Sequence, residues 1–310
     1  MKRDFCALSY SEKERICETL FEKNGPFWHL YTDGTRMQDI FLTEDEFDEA
    51  MWILAAAAAT IPGVEIIAFE IMGNHIHLIL SGPKELCQKL FELFKARLKR
   101  AAYKAGKSID WEPFKASILP IESLRALRNE IIYTNRNAFV ANPKYTPLSY
   151  PWGGGCAYFN IWLKALNPSD LNTLGINRRR ELTHARDISE CSKLKYIGKR
   201  VFIPSFCNIS LGESFFIDPR SYFNALTRNA EAYSQIAERL MDTVFLTDDE
   251  LYSITLSHIN KAYDVRNINL LSPRQKVECA KELKFKFNAT KQQIRRLLKL
   301  DESIISELFG

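Results

Sequence analysis

The sequence predicts an α+β protein built on a ferredoxin-like antiparallel sheet with helices packed against it. Three observations carry that prediction. Alternating apolar runs and amphipathic runs follow one another as β-α-β-β-α-β-α through the first half of the chain. Two central runs, "VEIIAFEIM" and "HIHLILSGP", are separated only by the turn-forming pair Gly73-Asn74, so they pair as neighbours. The composition, 46% hydrophobic and 26% charged over 310 residues, is that of a globular chain able to bury a core.

The first strand is read at "PFWHLYTDG" (26–34), where aromatic and polar residues alternate up to an Asp-Gly turn. "TEDEFDEAMWILAAAAAT" follows as a helix. Thr43 is its N-cap, Glu46 completes a capping box, and Pro62-Gly63 stops it. After the strand pair, a long helix is predicted from about Lys84 to Gly106. Its apolar face is Leu86, Leu90, Leu93, Phe94, Leu98 and Ala101, with Lys89, Lys95, Lys99 and Arg100 outside it. "ASILPI" is a short strand, and "ESLRALRNEIIYTNRNAFVAN" is a helix ended by Asn142-Pro143. Three consecutive glycines, 153–155, demand a loop.

Beyond Tyr158 the pattern to about Asn269 is mixed and mostly helical, with an arginine cluster at Arg178–Arg180 and no catalytic motif. The last forty residues are clearer. "SPRQKVECAKELKFKF" starts with Pro in its first turn, "ATKQQIRRLLKL" carries a Thr290/Gln293 capping box, and "DESIISELFG" is a short third helix capped by Asp301. Three short helices with tight turns fit a helix-turn-helix-like module, and Arg295 and Arg296 are its candidate DNA contacts. Glu302 and Glu307 oppose such contacts, and a plain three-helix packing module fits the same pattern. Nine basic against five acidic residues from Leu271 to Gly310 equal the net +4 of the whole chain.

No apolar run approaches the roughly 20 residues needed to cross a bilayer, so no membrane partner is expected. The opening "MKRDFCALSYSEKER" has no apolar stretch behind its basic residues, so no secretory signal is expected. Seven scattered cysteines without a CxxC pair predict free thiols and a cytoplasmic location.

The candidate chemistry begins at "EIMGNHIHLIL" (70–80). Strand alternation puts His75, His77 and Ile79 on one side and Ile76, Leu78 and Leu80 on the other. Two imidazoles about 7 Å apart along a strand can reach one metal ion, but a pair of structurally hydrogen-bonded histidines fits equally. On the helix "RNEIIYTNRNAFVAN", Tyr133 and Asn137 are four apart and share a face. The phenol could be a covalent nucleophile and the amide oxygen a third ligand, or both could be packing residues.

With these residues in place, "MGNHIHLIL" resembles the HUH (His-hydrophobic-His) motif. The arrangement is similar to the IS200/IS605-like Y1 transposases, in particular the REP-associated tyrosine transposases. The corresponding residues are Asn74, His75 and His77, then Tyr133 and Asn137, then Tyr150-Pro151-Trp152. The resemblance covers roughly residues 26–155. Gly73 stands where the family usually has Pro, Ala138 replaces the Pro after Asn137, and Val140 occupies an often basic position.

The resemblance implies metal-dependent cleavage and rejoining of single-stranded or hairpin DNA. Tyr133 would be the nucleophile, His75, His77 and Asn137 would hold Mg²⁺ or Mn²⁺, and a 5′-phosphotyrosine would be the intermediate. Lys95, Lys99, Arg100 and Arg136 are candidates for a basic track, and Trp152 and Tyr150, beside the glycines, for base stacking. The implied layout is a catalytic domain over 1–157, a mostly helical region of unknown role over 158–269 and the terminal module over 270–310. A catalytically silent DNA-binding protein of the same fold is the alternative, and the oligomeric state is open between monomer and homodimer.

Overall fold

The protein is described here from a computed structural model covering residues 8–34, 37–141, 145–228, 236, 239–240, 246, 248–287 and 289–309. Its chain separates into two compact units, Met1–Ala225 and Leu226–Gly310, and the break falls inside the stretch 158–269.

The first unit opens with a helix not among the expected elements, α1 (Tyr10–Asn24), started by a capping box between Ser9 and Glu12. Then come β1 (Phe27–Thr32), α2 (Glu44–Thr60), β2 (Glu65–Ile71), β3 (Ile76–Ser81), α3 (Lys84–Lys104), β4 (Ala116–Ile121) and α4 (Leu124–Ala141). The Asn142-Pro143 stop proposed for α4 lies outside the described residues. The four strands form one sheet in the order β2-β3-β1-β4, antiparallel at every pairing. The fold is therefore α+β with a four-stranded antiparallel sheet, and its β-α-β-β-α-β strand order is the one expected of a ferredoxin-like sheet. Helices α2 and α3 pack together, α2 against β2 and α3 against β4, while α4 lies against β2 and β3.

Helix α2 starts where Thr43 Oγ1 accepts the Glu46 N–H. The reciprocal bond is not the predicted one: Glu46 Oε2 accepts from the Leu42 N–H at 2.7 Å and pairs with Lys107 Nζ at 2.8 Å. A long glutamate side chain at the third position can reach past the cap to the preceding residue, and the nearby lysine draws it there.

β2 is an edge strand, and an edge leaves a row of unpaired N–H and C=O groups. Here the chain covers it. The Ile71 N–H donates to Trp152 O at 3.0 Å, the Gly154 N–H to Phe69 O at 2.8 Å, and the Asn208 N–H to Ile66 O at 2.8 Å. A bulge between Ile66 and Ala68 turns out the Ile67 carbonyl, which accepts from Tyr158 Oη at 2.9 Å and Cys207 Sγ at 3.3 Å. The glycines at 153–155 serve this docking. A Cβ at Gly155 would lie 2.7 Å from Pro147 O and 2.9 Å from Asn135 O, so close backbone approach, not flexibility, requires glycine there.

The stretch expected to be mostly helical is partly a second sheet. β5 (Ser169–Asp170), β6 (Lys195–Ile197) and β7 (Arg200–Val201) pair in that order, and the same stretch of chain also forms the helices α5 (Ile176–Thr183), α6 (Ile209–Ser214) and α7 (Pro219–Arg228). Strands of two or three residues carry too little alternation to be read from sequence. Buried Asp48 of α2 ties this region in, accepting from Trp152 Nε1 and Arg200 Nε at 2.8 Å each.

The second unit holds helices Asp248–Tyr263, Pro273–Phe285, Lys291–Leu298 and Glu302–Phe309 around a core that includes Leu251, Ile259, Cys279, Leu283, Ile294 and Leu298. The predicted Thr290/Gln293 capping box is formed, and a second one, Ser272/Gln275, starts the helix before it. Among the described residues, no helix is long and apolar enough to cross a membrane.

Candidate active site

The site is assembled by register. In the sheet His77 stands opposite Tyr31 of β1 and opposite Glu70 of β2, and His29 sits two residues from Tyr31 on the same face. That face is covered by α4, which buries His77 fully; all six residues of β3, on both faces, are buried. His75 lies just before the strand and is half-buried.

Helix α4 contributes three polar side chains to this face. Glu130, Tyr133 and Asn137 are spaced i, i+3 and i+7, one stripe of a helix. They meet the strand histidines. Asn137 Nδ2 is 3.1 Å from His77 Nε2, and the Tyr133 ring stands edge-on to the His77 ring with centroids 5.5 Å apart. The rings of His75 and His77 are also edge-on, 5.2 Å apart. The four residues singled out from the sequence, His75, His77, Tyr133 and Asn137, thus belong to one cluster.

Two members were missed. His29 Nε2 is 3.0 Å from His77 Nδ1, and His29 Nδ1 is 2.7 Å from Glu130 Oε2; both residues are buried. A signal existed for each. His29 is the inward polar position of the alternating run 26–34, and Glu130 falls on the Tyr133/Asn137 stripe. Neither the strand pairing nor the helix docking that joins them is written in local sequence.

His75 has its own support. Asn74 Nδ2 donates to Gly34 O at 2.8 Å and Met37 O at 2.9 Å, which leaves Asn74 Oδ1 to face His75 Nδ1 at 2.7 Å. Gly34 also clears the ring: a Cβ there would stand 2.6 Å from His75 Nδ1.

Whether this donor set suits a divalent cation can be judged from its chemistry. Two imidazoles and an amide are ordinary ligands for first-row metals. The Asn137 amide nitrogen lies 3.1 Å from His77 Nε2, so α4 brings the carboxamide to the ring, and a turn of the amide about its own axis would present its oxygen there as a ligand. Among the described residues no group of three His, Cys, Asp or Glu side chains could hold a metal, so a third side-chain donor would be of another type, such as the Asn137 amide oxygen. The residues fit the group.

The other candidates divide. Lys99 and Arg100 are exposed on α3, and Lys95 is half-buried with its ammonium on Phe114 O; burial, with Lys99 beside it, lowers its pKa. Arg136 and Trp152 are buried, so neither offers an open face to a strand in this structure. Trp152 stacks on Phe47 at 4.5 Å and gives its N–H to Asp48, and Tyr150 is likewise buried with its hydroxyl on Ile71 O at 2.7 Å. The cause is the docking of 150–155 along β2, which buries aromatic groups that the sequence allows to be exposed. In the second unit Arg295 is paired with Glu302, and Arg296 with Asp248 at 2.9 Å; both arginines are exposed.

No protein-family model matches the chain, and no curated protein matches it. Among solved structures, the chain is similar to one described as a REP-associated tyrosine transposase bound to a REP hairpin. That chain is 16% identical, with 42% of this chain and 77% of that chain covered and a TM-score of 0.32. A likeness of that size carries no weight for the site, which stands on its own geometry.

Proposed function

We propose that this protein cleaves and rejoins single-stranded or hairpin DNA through a covalent tyrosine intermediate, as in DNA transposition or the processing of REP elements. The observation that carries the reading is the convergence of a phenol and a carboxamide from α4 with two imidazoles, one in β3 and one just before it. Tyr133 Oη forms a bond to the scissile phosphorus while the P–O3′ bond breaks. Its electron pair goes to the 3′ oxygen, which takes up a proton in place of the one the phenol gives up. The products are a 5′-phosphotyrosine and a free 3′-OH. The phosphoester survives in the covalent link, so a second 3′-OH can reverse the step without an external energy source.

A phenol of ordinary pKa, about 10, is a poor nucleophile at neutral pH and needs a neighbouring charge or base. Mg²⁺ or Mn²⁺ held by His75, His77 and Asn137 would supply that charge and neutralise the phosphoryl oxygens. Within this reading the catalytic domain lies in residues 1–157. The exposed Lys99 and Arg100 supply part of a basic track, and the helices of 270–310 form a helix-turn-helix-like DNA-binding module with Arg295 and Arg296 among its contacts.

One observation favours a second reading, a DNA-binding protein without turnover. Tyr133 is 3% and Asn137 9% exposed, so a phosphodiester reaches them only if the covering chain moves. Incubation with Mn²⁺ and labelled hairpin DNA, followed by denaturing electrophoresis, decides between them. The expected result is a protein–DNA adduct that disappears in Tyr133→Phe. Cleavage persisting in that variant would make the protein a metal-dependent hydrolase, and binding without cleavage in any metal would make it a silent DNA-binding protein.

A further inference from the structure

Behind the cluster runs a line of buried hydrogen bonds whose links are all satisfied by one tautomer of His77. Glu130, as a carboxylate, can only accept, so His29 Nδ1 carries a proton and donates to it across 2.7 Å. A neutral His29 then has its lone pair on Nε2, which accepts from His77 Nδ1 across 3.0 Å. His77 is left with its lone pair on Nε2, and the group facing that lone pair is Asn137 Nδ2, a donor, at 3.1 Å. With His29 neutral, the carboxylate at one end and the amide N–H at the other favour the same tautomer.

His75 reaches the same state by another route. Asn74 spends its N–H groups on Gly34 O and Met37 O, so its oxygen accepts from His75 Nδ1, and His75 too keeps its lone pair on Nε2. Two unrelated anchors, a carboxylate–histidine pair and an asparagine, set both imidazoles in the form able to bind a cation through Nε2. Burying a glutamate and a histidine where a core would accept apolar side chains is costly, and such a pair is poor value for stability alone.

The geometry points to His29 and Glu130 as positioning residues that hold His77 in its Nδ1–H tautomer, aiming the Nε2 lone pair at a divalent cation. This rests on the reading of His77 as a metal ligand. Partners of this kind fix ring orientation and raise ligand basicity, and their loss typically costs about 10- to 100-fold in metal affinity.

The chain has five histidines, so selective ring ¹⁵N labelling of the full-length, metal-free protein gives a spectrum in which His77 can be assigned. The wild-type ring is expected to show Nδ1–H. His29→Phe keeps a ring but removes the acceptor. It should move His77 toward Nε2–H and weaken Mn²⁺ binding, read by electron paramagnetic resonance, by about 10- to 100-fold. His29→Gln, whose amide oxygen can accept the same proton, should recover most of both. A purely structural role would lower the melting temperature without moving the tautomer. If His29→Phe does not fold, Glu130→Met tests the same chain, because it frees His29 to turn its proton to Nε2 and push His77 into the other tautomer.

A wild-type His77 protonated on Nε2, no Mn²⁺ binding, or variants that leave tautomer and affinity untouched would each overturn the inference. None of these measurements uses DNA. A correctly poised, Mn²⁺-binding His77 in a protein that forms no adduct would sink the proposed function and leave the positioning role standing. An adduct with the opposite tautomer would do the reverse.

Discussion

Single atoms decide how closely the parts of the site can approach. Gly155 is the clearest case: a methyl group there would press on the carbonyls of Pro147 and Asn135, and Asn135 is two residues from Asn137 on α4. Backbone oxygens cannot swing away as a side chain would. Gly155→Ala is therefore expected to destabilise the protein by about 1–3 kcal/mol in urea unfolding. Adduct formation should fall more than in a control variant of equal stability, because the shift is delivered to α4. The histidine pair was legible at this scale, since two polar rings in an apolar strand stand out against its alternation. Trp152 was legible as an important aromatic but not as a buried one. A tryptophan beside glycines reads as a surface stacking group until the chain is seen docked on an edge strand.

At the scale of elements, ends and stripes carry the information. Helix α4 shows its working face in sequence, Glu130, Tyr133 and Asn137 lying along one line of the helix. The start of α2 was also legible through Thr43, but the partner of Glu46 was not, because Lys107 arrives from beyond α3. Burial works against the Glu46 charge, yet its bonds to Lys107 and the Leu42 N–H prevail and hold its pKa below the ordinary 4.5. A group whose pKa falls on folding stabilises the folded state above its unfolded value, and the contribution is lost as pH falls through the folded one. Glu46→Gln should thus cost about 0.5–1 kcal/mol at pH 7, a modest figure for a partly exposed pair. The gap from wild type should close below pH 4.5, as read from thermal unfolding across pH.

For the whole molecule, the separation into two units makes a simple forecast. Every residue of the cluster and every element that carries it lies in the first unit. A chain ending after residue 228 should fold, keep Mn²⁺-dependent adduct formation, and differ from the full chain in the affinity and salt dependence of DNA binding. An adduct that needs residues 229–310 would show that the second unit helps build the site.

The alternation of the strands, the caps of α2 and the terminal helices, and the paired histidines follow from local rules of period and turn chemistry. Sequence alone therefore determined the α+β class, the strand order along the chain and four of the cluster's residues. His29 and Glu130 are 101 positions apart, and Trp152 is 104 from Asp48. What joins such residues is strand register and the docking of α4 and of 150–155 on the sheet. Those are set by how buried surfaces fit across the molecule, so only the tertiary structure could decide them.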